Sequence, residues 1–149
     1  MNAFVSAGAG FLLAVLWFDL MFDVQVIGRG SERLPEPVLA SIAGYYARVT
    51  TAARPMNRLV AAAMLATVAG VLVEIAAGVD EQWVAWASLA LVVPAIALAA
   101  AHTVPSAVRL GTRSDPPERQ SALARSICRD HVLCAGAIAA LLVLQLAFL

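Results

Sequence analysis

Four long stretches of this chain run almost without charge: Ala3 to Ile27, Leu59 to Val79, Trp83 to Val108 and Val132 to Leu149. Each is close to the ~20 residues an α-helix needs to cross ~30 Å of hydrocarbon, where only helices and closed barrels satisfy their own backbone hydrogen bonds. The pattern predicts an all-α membrane protein, a single domain over 1–149 whose four transmembrane helices form an up-down bundle. The first stretch stays in the mature protein on this reading. No basic residue precedes it, its apolar run is too long for a signal peptide, and it carries Asp19 and Asp23.

The connections carry patterns of their own. Between the first two stretches, Val38, Leu39, Ile42, Tyr45, Tyr46 and Val49 recur at helical spacing, which predicts an amphipathic helix over about 37–54, between Pro37 and Pro55. Such a helix either lies at the membrane interface or covers the inner mouth of the bundle. Before the last stretch, Asp115-Pro116-Pro117-Glu118 combines a capping acid, a first-turn proline and an acid three residues after the cap. That helix is expected to start near Pro116 and to run about 50 Å to Leu149 at 1.5 Å per residue. Within the spans, Ala62, Ala66 and Gly70 share the spacing that lets helices approach closely, and Pro94 is expected to kink the third span.

Composition agrees with the spans. With 62% hydrophobic and 13% charged residues and a mean hydropathy of +0.84, the chain is too apolar for a soluble globule. Its formal net charge is zero, so no global field attracts nucleic acid. All ten basic residues are Arg, and all lie in the two long connections, whereas the Asp80-Glu81-Gln82 turn and both tails carry none. The positive-inside rule then puts both Arg-rich connections in the cytoplasm and both termini outside, with Trp83 and Trp86 in the outer aromatic belt. The absence of Lys and the abundance of Ala suggest a GC-rich bacterial genome, so the expected location is a bacterial inner membrane.

Ionisable residues within spans are costly and mark candidate sites. Asp19, Asp23, His102 and His131 are the candidates for catalysis, and His102, His131 and Asp23 for holding a metal. If the polar helix ends converge, they make a pocket of two carboxylates and two imidazoles. Tyr45, Asn57 and Arg58 at its rim, with Ser106 and Arg109 on the His102 face, are the candidate substrate-binding residues. Such a group can bind a divalent transition metal, ligate haem iron through the His pair, or exchange protons with a bound substrate. It can equally be an interhelical network that fixes helix register. Glu74, near the other end of span two, reads as a snorkelling or helix-packing acid. Cys128 and Cys134 are six residues apart, share no helix face, and read as free thiols. Phosphate loops, dinucleotide fingerprints, HExxH and GxSxG motifs are absent.

The polar end of span one, the Tyr45-Tyr46-Ala47-Arg48 segment and the Arg-Ser-Ile-Cys-Arg-Asp-His stretch from Arg125 to His131 resemble the small four-span bacterial membrane proteins of the anthrone-oxygenase-like group. Two functions are expected from the whole. The first is an inner-membrane protein with a buried polar site that binds a metal, haem or a small hydrophobic substrate, a membrane oxidoreductase among the possibilities. The alternative is a non-enzymatic accessory or assembly subunit of a larger membrane complex. A small transporter ranks behind both. The expected partners are the lipid bilayer, a hydrophobic small molecule, and a second copy or a larger membrane complex, with no nucleic acid.

Overall fold

The structure, a computed structural model, describes residues 2–30 and 33–148. The described chain is helical throughout its spans: α1 (Asn2–Asp23), α2 (Glu36–Tyr46), α3 (Arg54–Ala77), α4 (Gln82–Leu98), α5 (Val104–Thr112) and α6 (Pro117–Phe148). A short 3₁₀ turn, Val24–Val26, extends α1. Wide π turns at Ala47–Ala52 and Ala99–Thr103 follow α2 and join α4 to α5. Four segments are long and apolar enough to cross a membrane: Asn2–Val26, Pro55–Ala77, Gln82–Thr112 and Pro117–Phe148. The expected four-span all-α bundle is therefore present, with boundaries that shift by a few residues except in the last span. There the helix runs unbroken from Pro117, as the Asp-Pro-Pro-Glu start predicts, while Leu149 lies outside the described residues.

Each span packs on two neighbours, in the ring α1–α3–α4–α6, so chain neighbours are also spatial neighbours. The tightest seam lies between α1 and α3. A Cβ added at Gly8 would collide with the Thr67 hydroxyl, and one at Gly70 would sit 2.8 Å from Val5 Cγ2. The small residues of this seam on α3 are thus Ala63, Thr67 and Gly70, while Ala62 is exposed, so the Ala62–Ala66–Gly70 row is not the contact face. The apolar core beneath it includes Val5, Leu12, Val71, Val92, Ile138 and Leu141.

The amphipathic helix covers the mouth of the bundle. Val38, Leu39, Ile42, Ala43 and Tyr46 of α2 are buried against Ala107 and Leu110 of α5 and Leu123, Ala124 and Ile127 of α6. Full burial of side chains such as Leu39 and Ile42 is worth about 1.5–3 kcal/mol each relative to water. Pro37 in the first turn of α2 suits a helix start, since its missing N–H would have no intrahelical partner there. Regular helix ends at Tyr46, short of the expected 54, and the wide turn carries the chain on to α3.

Candidate functional site

The last two turns of α1 present Asp19 and Asp23 one turn apart, on the side that meets α2 and α6. Tyr46 Oη donates to Asp23 Oδ1 at 2.6 Å, and His131 Nδ1 lies 2.6 Å from Asp23 Oδ2. Tyr45 Oη donates to Asp19 Oδ1 at 2.7 Å, and His131 Nε2 stands 3.8 Å from Asp19 Oδ2. Asp23 is fully buried and His131 8% exposed. Because an ionised carboxylate only accepts, Nδ1 is the protonated nitrogen of the Asp23–His131 pair. Burial and the two carboxylates hold both tyrosine hydroxyls well above the usual phenol range, so both remain donors.

Backbone geometry aims the tyrosines. Gly111 of α5 lies against the end of α2, where an added Cβ would meet Ala47 N at 2.8 Å and Ala47 Cα at 3.0 Å. Only a residue without a side chain permits that approach. The Tyr45 ring also stacks on Phe22, with centroids 4.1 Å apart and planes 10° off parallel.

A cavity of about 580 Å³ opens beside this cluster. Asp19, Tyr45, Tyr46 and His131 form its polar end, and residues such as Leu12, Val60, Met64, Ala95 and Ile138 form apolar walls. Ligand pockets commonly fall between about 300 and 1,000 Å³. Asn57 also lines the cavity, its Nδ2 donating to Thr50 O at 2.5 Å.

The remaining sequence candidates lie elsewhere. His102 is turned outward with 47% of its side chain exposed, and its Nδ1 pairs with the buried Asp130 Oδ2 at 2.6 Å, to which Thr103 also donates at 3.1 Å. The cause is the wide turn at Ala99–Thr103, which inserts a residue into the helical phase and gives Thr103 the inward position that regular spacing assigns to His102. Pro105 has no N–H to continue the regular ladder just beyond it. His102 and His131 thus belong to separate pairs, because Asp130 and His131, adjacent on α6, point about 100° apart. The expected His102, His131 and Asp23 metal set is not assembled, and among the described residues no group of three or more His, Cys, Asp or Glu is placed to hold a metal. Ser106 is buried outside the cavity lining, Arg58 is exposed on α3, and Arg109 forks onto Asp115 with two 2.6 Å bonds. That exposed pair holds the Asp115 carboxyl below its usual range.

Two functional-looking residues were not among the sequence candidates. Tyr46 closes the Asp23 carboxylate, and its place in the Val38, Leu39, Ile42, Tyr46 row marks it as inward-facing. Asp130 sits next to Arg129 and reads as a surface charge, yet it is 1% exposed.

A second polar group lies at the far end of the bundle. Gln145 Nε2 donates to Glu74 Oε2 at 3.0 Å and to Ser88 Oγ at 3.2 Å, and all three residues are buried. Glu74 therefore packs inside and does not snorkel. From His131 to Gln145 the α6 axis rises about 21 Å, and the apolar core at Leu12, Val71 and Leu141 separates the two polar groups.

No curated protein and no solved structure matches the chain. A family model does: the one described as ER membrane protein SH3 matches residues 1–148. That match overturns the likeness to anthrone-oxygenase-like bacterial proteins, which rested on short polar segments and the span outline. It also overturns the bacterial inner membrane as the location, since Arg and Ala usage reports on base composition and not on the membrane, and the family is one of the ER membrane. With nearly its whole length matched, the chain belongs to the SHR3 chaperone family of ER membrane proteins.

Proposed function

We propose that this chain is a non-enzymatic accessory factor of the ER membrane that assists the folding or assembly of other integral membrane proteins. The match of residues 1–148 to a chaperone family carries the reading. The architecture supports it in two ways. Asp23, His131, Tyr45 and Tyr46 tie α1, α2 and α6 together through mutually committed hydrogen bonds, the behaviour of a register-fixing network. On the outside of α6, Gly136 and Ala140 are exposed at four-residue spacing, with nothing within 4 Å of a Cβ built on Gly136. Small residues at that spacing let a second helix approach closely, and within a bilayer such packing stands in for the hydrophobic effect.

The test is purification from ER membranes in a mild detergent, with the wild-type chain beside a His102→Ala, His131→Ala double variant. A polytopic membrane protein recovered with both versions supports the reading. Recovery of the chain alone, with a membrane-associated activity lost in the double variant, would overturn it in favour of a reaction centred on the histidines.

A further inference from the structure

The polar end of the cavity is incomplete. His131 Nδ1 is committed to Asp23 and Asp19 Oδ1 to Tyr45, but His131 Nε2 and Asp19 Oδ2 face each other at 3.8 Å, too far for a hydrogen bond. Their side chains keep 10% and 15% of their accessible surface, and both residues line the cavity. Asp19 Oδ2 is an acceptor, and across the gap from it the His131 ring lies between the two carboxylates. The gap thus has room for a donor to Asp19 Oδ2.

Charge narrows what that group is. Asp19 and Asp23 bring two carboxylates, and among the described residues His131 is the cation-forming partner within ion-pair distance of either. A net negative charge at membrane depth is costly. A primary ammonium donates to Asp19 Oδ2 and lowers the negative charge. A hydroxyl donates once and leaves the charge as it is, and a carboxylate adds to it.

Shape and access complete the assignment. On α1 the lining runs from Phe11 to Asp19, about 12 Å along the helix. The close seam of α1 and α3 lies at Gly8 and Gly70, whereas toward Asp19 the cavity lies between the two helices. Phe18, Met56 and Ala61 on its wall there are exposed on the hydrocarbon side. We infer that this cavity binds a single-chain amphiphile with a primary ammonium head, entering from the bilayer between α1 and α3. The head donates to Asp19 Oδ2, and the tail lies along the apolar walls. This inference does not rest on the assembly role, and its failure leaves that role standing.

The probes are decylammonium, decanol and decanoate, titrated into the chain in phosphatidylcholine nanodiscs, with bound molecules counted by native mass spectrometry after release. One decylammonium per chain is expected, held at least tenfold more tightly than decanol, with decanoate not retained. Asp19→Asn keeps an acceptor for Tyr45 and the shape of the site, and is expected to bring the amine and the alcohol to within about twofold of each other. Ala61→Trp, at the lateral opening, is expected to abolish retention of all three while leaving the melting temperature within a few degrees. Equal retention of the three heads, or decylammonium binding undiminished in Asp19→Asn, would overturn the assignment. If Asp19→Asn does not fold, the folded Ala61→Trp variant decides: lost amine retention upholds the site, and unchanged retention removes it.

Discussion

His131 Nδ1 lies 2.6 Å from Asp23 Oδ2, joining α6 to α1 across 108 residues of chain at a depth where Asp23 has no solvent exposure. Removing one member of a buried pair strands the other, which typically costs about 3–5 kcal/mol. Asp23→Ala strands both His131 and the Tyr46 hydroxyl and is expected to lose that much stability. Tyr46→Phe removes the bond to Asp23 together with a 3.4 Å contact to His131 Nδ1, and is expected to lose about 1.5–3 kcal/mol. Reversible unfolding in mild detergent measures both. An Asp23→Ala loss below about 1 kcal/mol would mean that the pair does not hold the bundle together.

Two glycines near the tyrosines are expected to respond in opposite directions. At Gly111 a Cβ would press on the Ala47 backbone, which cannot swing aside as a side-chain tip can, so Gly111→Ala is expected to destabilise by about 1–3 kcal/mol through overpacking. At Gly44, on the exposed side of α2, nothing lies within 4 Å of an added Cβ. Gly44→Ala is expected to stabilise by about 0.4–1 kcal/mol, by restricting the unfolded chain. Melting temperatures of the two variants moving the same way would contradict the seating of α5 on the end of α2.

The span count, the amphipathic helix and the start of α6 were legible because each rests on a local signal: an apolar window, a helical period, an Asp-Pro-Pro-Glu cap. Asp19, Asp23 and His131 were legible as a group because ionisable residues in an apolar span turn inward. His102 was misplaced for a definite reason. Ser88 and Ala95 are buried on the face that a regular helix continues through His102, but one extra residue in the wide turn hands that face to Thr103. The missing N–H of Pro105 was the available sign, and it does not by itself say whether the helix stops, kinks or widens. Asp130 was hidden for another reason: its partners, His102 and Thr103, come from a different helix, and sequence spacing on α6 carries no trace of them.

At the far end of the bundle, the Glu74 carboxyl accepts from Gln145 through Oε2, while Glu74 Oε1 and Gln145 Oε1 are buried with no partner among the described residues. Gln145→Leu leaves Glu74 unsatisfied and is expected to cost about 1–3 kcal/mol. Adding Glu74→Leu replaces the whole polar contact by an apolar one and is expected to recover most of that loss, because removing both partners is far cheaper than removing one. Unfolding measurements on the two singles and the double give the coupling directly. A double variant as unstable as the sum of the singles would show that the two residues act independently.

The outward face of α6 separates partner binding from stability. Gly136 and Ala140 are exposed, and nothing lies within 4 Å of a Cβ built on Gly136, so Gly136→Ile is expected to leave the unfolding of the isolated chain within about 0.5 kcal/mol of wild type. If a client helix packs on this face, the branched side chain holds it off, and the gain from close backbone approach is lost. Recovery of the co-purifying membrane protein is then expected to fall several-fold, while Leu65→Ala, at an exposed position on α3, leaves it unchanged. Equal recovery with wild type and Gly136→Ile would move the client contact to another face, and a parallel loss of stability would mean that Gly136 serves the bundle's own packing.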